Sequence, residues 1–137
     1  MYRQAILGII STNNKFLLLH KADAPKKEFY FLSGGIDGKE TPEQTLYREL
    51  FEEVGIEVKR EDLEMIHVMH RVNQGEERID FFFCCKTWQG EIVNSEPEKC
   101  NELKWVKLKQ LPKKIVPYVK FALEQFEQKI RYSEFSE

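Results

Sequence analysis

At 137 residues the chain is the size of one ordinary domain, and a 42% hydrophobic share with ten phenylalanines supplies a core and excludes a disordered chain. A formal net charge of −2 speaks against a duplex nucleic-acid binder, which carries a basic face, and against attachment to membranes through polybasic attraction. No apolar run approaches the length of a bilayer span and the N-terminus lacks the apolar segment of a secretory signal, so the expectation is a cytoplasmic protein with no membrane partner.

Without an internal repeat, a low-complexity tract or a linker, residues 1–137 read as a single domain. Residues 5–10 and 16–20 are apolar runs with β-branched and aromatic content, and Asn13-Asn14 between them signals a hairpin. A polar stretch, 22–28, leads to a short aromatic strand at 29–32 and then to Ser33-Gly34-Gly35-Ile36-Asp37-Gly38, whose glycines suggest a turning loop.

The helix that follows is the best specified in the chain. Thr41 reads as its N-cap, Pro42 as its first residue, and Gln44 completes a Thr-x-x-Gln capping box. Leu46, Leu50 and Val54, with Tyr47 and Phe51 alongside, form an apolar stripe, and Gly55 ends the helix. Further strands are expected at 64–72, 79–87 and 103–108, and a second helix at 115–130. Strands on both sides of a helix make this an α+β, mixed-sheet domain. Cys84, Cys85 and Cys100 build no disulfide framework, because their number is odd and two are adjacent. The adjacent pair closes the run Phe81-Phe82-Phe83, where cysteine behaves as a small hydrophobe, and no C-x-x-C supports zinc.

Within the first helix, Glu49, Glu52 and Glu53 project from one side, outside the apolar stripe. Like charges at these spacings cost an isolated helix about a few tenths of a kcal/mol each. A solvated acidic face is the ordinary explanation of such a trio. A hard divalent cation held by oxygen ligands is the alternative, and magnesium accepts a few carboxylates together with substrate phosphates. Arg48, four residues before Glu52, is placed to pair with it.

The context decides between them. Gly34, Glu40, Arg48, Glu49, Leu50, Glu52, Glu53, Gly55 and Ile56 fill every defining position of G-x5-E-x7-R-E-U-x-E-E-x-G-U, with U a bulky aliphatic. The string resembles the Nudix box. Beyond it, Asn94 to Cys100, Trp105 and Leu111-Pro112 resemble the C-terminal half of MutT-like nucleoside-triphosphate diphosphatases, so that the likeness covers residues 6–123. The resemblance implies an α/β/α sandwich with a central mixed sheet, a catalytic loop–helix–loop and a C-terminal helix. It places metal ligands on Glu49 and Glu53, Glu52 as a further ligand or the base, and a backbone carbonyl of Gly34 or Gly35 beside them. Arg48 resembles the arginine that orients a helix carboxylate, Glu40 the glutamate that buttresses the loop, and Gly55 the structural glycine of the box. Two positions depart from the pattern: Ser33 and Lys39 stand where glycines are common, and Gly38 supplies flexibility one residue early. The cofactor implied is Mg2+, with Mn2+ as a substitute.

Other residues invite roles with less support. Glu98, with Glu96 two residues earlier, lies in a segment from which related proteins draw an acid for the metal site or the base. Lys21, Arg71 and Lys39 are candidates for phosphate or base, with Gly35 at the loop. Tyr118 falls where relatives complete the base pocket, whereas Phe82, Trp88 and Trp105 read as packing residues and His20, His67 and His70 as half-exposed strand histidines.

The resemblance implies hydrolysis of a diphosphate bond in a nucleoside-linked small molecule, first a (d)NTP or oxidised (d)NTP yielding monophosphate and pyrophosphate. A nucleotide sugar, a dinucleotide polyphosphate or a prenyl diphosphate is the alternative substrate, and a non-catalytic nucleotide sensor the alternative class. The net charge and the lack of a basic run speak against capped RNA. Relatives are often homodimers.

Overall fold

The computed structural model describes residues 3–21 and 28–137; the polar stretch read at 22–28 lies, except for Glu28, outside the described residues. The expected hairpin is present as β1 (Arg3–Thr12) and β2 (Lys15–Lys21). Its turn residues Asn13 and Asn14 have φ of 49° and 61°, the left-handed pair that lets a two-residue turn follow the twist of its strands.

After β3 (Phe29–Tyr30) comes β4 (Leu32–Gly35), which corrects the reading of residues 33–35 as the start of a loop. Ser33, Gly34 and Gly35 pair with Leu7, Ile6 and Ala5 of β1. The turn comes later, at Gly38, whose φ of 55° provides the left-handed residue one position before Lys39.

The first helix, α1 (Pro42–Val54), begins as its sequence dictates. The Gln44 amide donates to Thr41 Oγ1 at 3.2 Å and the Thr41 amide to Gln44 Oε1 at 3.0 Å, so the capping box satisfies two of the donors a helix start leaves over. Gly55 closes the helix at φ 74°, its N–H donating to the Phe51 carbonyl. Leu46, Leu50 and Val54 are buried, but Phe51 is 58% exposed and Thr45 is buried instead. The apolar stripe is therefore narrower than the spacing predicts.

Strands β5 (Leu63–Asn73) and β6 (Glu76–Cys85) form a second hairpin, followed by β7 (Cys100–Lys107), α2 (Pro117–Glu127) and β8 (Tyr132–Ser136). The helix expected to reach residue 130 stops at Glu127, and Lys129 takes a φ of 57°. The chain then turns back to lay β8 parallel to β5, Val68 opposite Tyr132. The sheet order is β3-β2-β1-β6-β5-β8, with β4 also on β1 and β7 also on β2. Pairing is parallel for β1–β6 and β5–β8 and antiparallel elsewhere, so the sheet is mixed.

Alternation along the strands builds two cores. Ile6 and Ile10 of β1, with Leu17 and Leu19 of β2, meet Leu46, Leu50 and Val54 of α1. Leu7 and Ile9, with Leu18, Met69 and Phe82, meet Val119, Ala122 and Leu123 of α2. The result is the expected α+β sandwich, α1 on one face and α2 on the other. At about 25 cal/mol per Å² of apolar surface, each buried leucine or isoleucine contributes roughly 1.5–3 kcal/mol. Gly8 marks the closest approach of α1 to β1, since a β-carbon there would stand 3.0 Å from a Leu46 methyl. The three cysteines are buried free thiols, as their apolar setting predicts, and burial pushes the Cys85 thiol up to about 12. Among the described residues no helix is long and apolar enough to cross a membrane.

Candidate active site

The box residues converge where α1 crosses β4. Arg48 sits at their centre. Its Nε donates to Glu40 Oε2 at 2.8 Å and its Nη2 to Glu40 Oε1 at 2.9 Å, a two-pronged contact. Its Nη1 donates to Glu49 Oε1 at 2.8 Å and lies 3.5 Å from Glu52 Oε2, and Nη2 also reaches the Gly35 carbonyl at 3.4 Å. The pairing expected with Glu52 is thus the longest of the three ionic contacts, and those with Glu40 and Glu49 are the close ones.

Glu40 also ties the loop to the start of α1. Besides Arg48, it accepts from the Asp37 amide and the Thr45 hydroxyl, at 3.1 and 3.2 Å. Hydrogen bonding to the Arg48 guanidinium holds the Glu40 carboxyl down to about 2. Because one guanidinium is shared between loop and helix, the position of Glu49 is coupled to the loop that carries Glu40.

Gly34 is required for a different reason. A β-carbon there would overlap the Glu49 carboxyl group, so only glycine lets the strand pass this close to that side chain. Gly35, by contrast, is exposed with open space around it, and Lys39 is exposed.

Glu53 lies deeper. Its Oε2 is buried with no hydrogen-bond partner. Burial first, then the charges of Glu49 and Glu96, push its carboxyl up to about 9. Burial also raises Glu49. A carboxylate in this setting is stabilised by a neighbouring cation, and an all-oxygen donor set suits a hard one. Among the described residues no three acidic, histidine or cysteine side chains close a complete cage.

Glu53 opens onto a cavity of about 240 Å³ lined also by Lys21, Ser33, Glu96 and Lys99. Glu96 is the acid that the sequence reading set below Glu98. The reason lies at the C-terminal end of α1, whose last carbonyls need donors from elsewhere. The Val93 amide donates to the Val54 carbonyl at 3.0 Å and the Ser95 amide to the Glu53 carbonyl at 3.1 Å. The Glu96 amide donates to Asn94 Oδ1 at 3.2 Å, and Asn94 Nδ2 to the Cys100 carbonyl at 2.7 Å. These bonds dock the segment on the helix and turn Glu96 inward, 3.4 Å from Lys99 Nζ, while Glu98 is exposed. The only trace of this in the sequence is Asn94, a residue that commonly organises its own turn.

The remaining candidates separate. Lys21 shares the cavity with Glu53 and lies 4.5 Å over the Tyr30 ring. Arg71 and Tyr118 are on the other face of the sheet, in the core beneath α2, and both are 6% exposed. Arg71 Nε donates to Asp80 Oδ2 at 2.8 Å, and its guanidinium lies 3.7 Å over the Tyr118 ring. The expectation that Arg71 and Tyr118 stand free to meet a substrate is corrected: each occupies the other. Nor is His67 half-exposed. It is 1% exposed, its Nδ1 2.7 Å from the Ile130 carbonyl and its Nε2 2.7 Å from Ser133 Oγ.

With this geometry in place, comparison with known proteins is direct. A family model described as the NUDIX domain matches residues 1–126. The chain belongs to the Nudix family. The RNA pyrophosphohydrolase of Pseudoalteromonas translucida (strain TAC 125) is 41% identical over 63 residues, which are 46% of this chain and 36% of that protein. That of Pseudomonas putida (strain GB-1) is 45% identical over 60 residues, 44% of this chain and 36% of that protein. The match thus spans little more than a third of these relatives. Among solved structures, a MutT NUDIX hydrolase from Burkholderia pseudomallei superposes with a TM-score of 0.81 at 26% identity, covering 91% of this chain and 98% of that one. The E. coli ORF135 protein, at TM-score 0.74 and 23% identity over 93% of this chain and 89% of its own, shares the fold.

Proposed function

We propose that this Nudix-family chain is a magnesium-dependent pyrophosphohydrolase that cleaves a phosphoanhydride bond of a nucleoside triphosphate unit. The observation that carries the reading is Glu53: a buried carboxyl oxygen without a partner, between two further acids, at the wall of a cavity that also holds a lysine.

Glu49 and Glu53 would hold the metal, with the Gly34 carbonyl beside them. When bound, magnesium supplies charge neutralisation and Lewis acidity toward the diphosphate. The rest is the work of the chain's own groups. Arg48 keeps Glu49 in place against Glu40, and Gly34 leaves room for it. Lys21, across the cavity, offers a positive charge to a phosphate oxygen. Glu96, in the same cavity, is positioned to accept a proton from an attacking water, a role that needs a carboxylate within hydrogen-bond reach. Glu52, half-exposed and 3.5 Å from Arg48, would serve as a further ligand.

Two substrates follow from two observations. The likeness to a MutT NUDIX hydrolase over nearly the whole chain supports a free (d)NTP, oxidised or not. The identity with proteins named RNA pyrophosphohydrolase supports the same bond at the triphosphate end of an RNA. Incubation with magnesium and, in turn, a dNTP, an oxidised dNTP, a nucleotide sugar and a triphosphate-ended RNA, scored by released pyrophosphate or phosphate, separates them. Pyrophosphate from one of the triphosphates is expected, and Glu53→Gln should abolish it. Wild-type-like turnover by that variant, or turnover in EDTA, would overturn the reading.

A further inference from the structure

Among the described residues a second cavity is larger than the one that holds Glu53. It measures about 850 Å³ and lies at the other end of the sheet, on the α2 side. The two cavities share no lining residue. On β1, Ile6 pairs with Gly34 near the acids, whereas Ser11 pairs with Phe16 at the second cavity; five residues of strand separate them, about 17 Å.

The walls of this cavity are strongly cationic. Lys86, Lys107, Lys109, Lys129 and Arg131 line it against two carboxylates, Glu64 and Glu127. All five cations are exposed, and none forms an ion pair with another described residue. They come from three separate parts of a chain whose net charge is −2, so the fold has concentrated one sign of charge around a single concavity. Clefts lined in this way focus the field and draw anions in.

The cavity is not merely charged. Phe16, Ile66, Leu108, Phe126 and Ile130 supply an apolar floor. Ile130 is 37% exposed, and the Phe126 ring packs against Phe82 and His67 in the core while contributing to the cavity. The wall that carries Lys129 and Arg131 is pinned to β5: the Val68 amide donates to the Arg131 carbonyl at 2.9 Å, and His67 Nδ1 donates to the Ile130 carbonyl. A concave site of this volume, apolar below and cationic above, has the size and chemistry of a pocket for a single flat phosphorylated ligand.

We infer that this cavity is a second ligand site, remote from the acids, that binds a nucleotide unit, its base on the Phe16–Phe126 floor and its phosphate at the lysine–arginine rim. Inorganic phosphate would use the rim alone. A nucleotide unit uses both, whether it is a free mononucleotide or one residue of a single RNA strand. The inference does not rest on the hydrolytic reading, because binding here needs neither Glu53 nor a divalent ion.

The test is a backbone-amide NMR titration of the full chain in EDTA with AMP, with inorganic phosphate, and with a short single-stranded oligoribonucleotide. AMP or the oligonucleotide is expected to shift the amides of Phe16, Lys107, Phe126 and Arg131. Binding by AMP identifies the free nucleotide as sufficient, and binding by the oligonucleotide alone identifies the strand. Combined Lys107→Glu, Lys129→Glu and Arg131→Glu substitution should weaken that binding about tenfold or more, leaving turnover at the Glu53 site unchanged. If the charge reversals disturb the fold, the milder Lys129→Gln and Arg131→Gln pair should still weaken binding and reduce its salt dependence. Shifts confined to the Glu53 cavity, or a pattern that inorganic phosphate reproduces in full, would overturn the inference.

Discussion

The Arg48 guanidinium grips both oxygens of Glu40, at 2.8 and 2.9 Å, while its remaining nitrogen holds Glu49 at 2.8 Å. A flat fork joining a loop acid to a helix acid is a geometry that lysine cannot reproduce. Arg48→Lys is therefore expected to lower kcat by about 10–100-fold, the usual loss when a group supporting a metal ligand is removed. The melting temperature should change little, because the contact is partly exposed. A variant with unaltered kcat would show that Glu49 does not depend on this grip.

Gly34→Ala tests the close approach of β4 to Glu49. The added β-carbon would displace the Glu49 carboxyl, while the strand's backbone conformation suits alanine as well as glycine. The expected result is a folded protein whose magnesium requirement, followed as activity against metal concentration, rises by about tenfold or more. Gly35→Ala, where a β-carbon meets open space, should behave as wild type.

Glu96 and Glu98 lie two residues apart and make opposite predictions. Glu96→Gln removes a charge from the cavity that holds Glu53, and kcat should fall by about 10²–10⁴-fold, the range for loss of a general base. Glu98→Gln alters an exposed side chain and should leave kcat within about a factor of two. Steady-state kinetics of the pair, with the reverse order as the contrary outcome, decides which acid the site uses.

His67 ties the end of α2 and β8 to the sheet, and burial lowers its pKa below the ordinary value. A histidine kept neutral in the folded state binds fewer protons than in the unfolded chain. Its contribution to stability is therefore full above about pH 6.5 and is lost as pH falls below that value. His67→Gln should lower stability at pH 8 and flatten the decline between about pH 6.5 and 5, as followed by urea denaturation. An unchanged slope would show that another group governs that range.

The sequence by itself determined the hairpin at Asn13-Asn14 and helix α1 with its cap and stop. These depend on residues close together in the chain, where helical spacing and turn chemistry act directly. It also determined that Cys84 and Cys85 are packing residues, since a run of apolar neighbours leaves few alternatives.

Only the tertiary structure decided the rest. Strand β8 is too short to announce itself, and it exists because β5 offers an open edge beside it. Arg71 and Tyr118 carry the residue types of a binding site, yet strand parity directs Arg71 to the face that α2 covers, where it meets Asp80 and the ring of Tyr118 on that helix. Glu96 rather than Glu98 faces Glu53 because unsatisfied carbonyls at the end of α1 capture the backbone at Val93 and Ser95. The cationic cavity is the clearest case. A mildly acidic chain without a basic run gives no hint of it, since its five cations lie in three segments and share a surface only once the strands are paired and α2 is docked. Local physics specified the box; long-range packing chose what surrounds it.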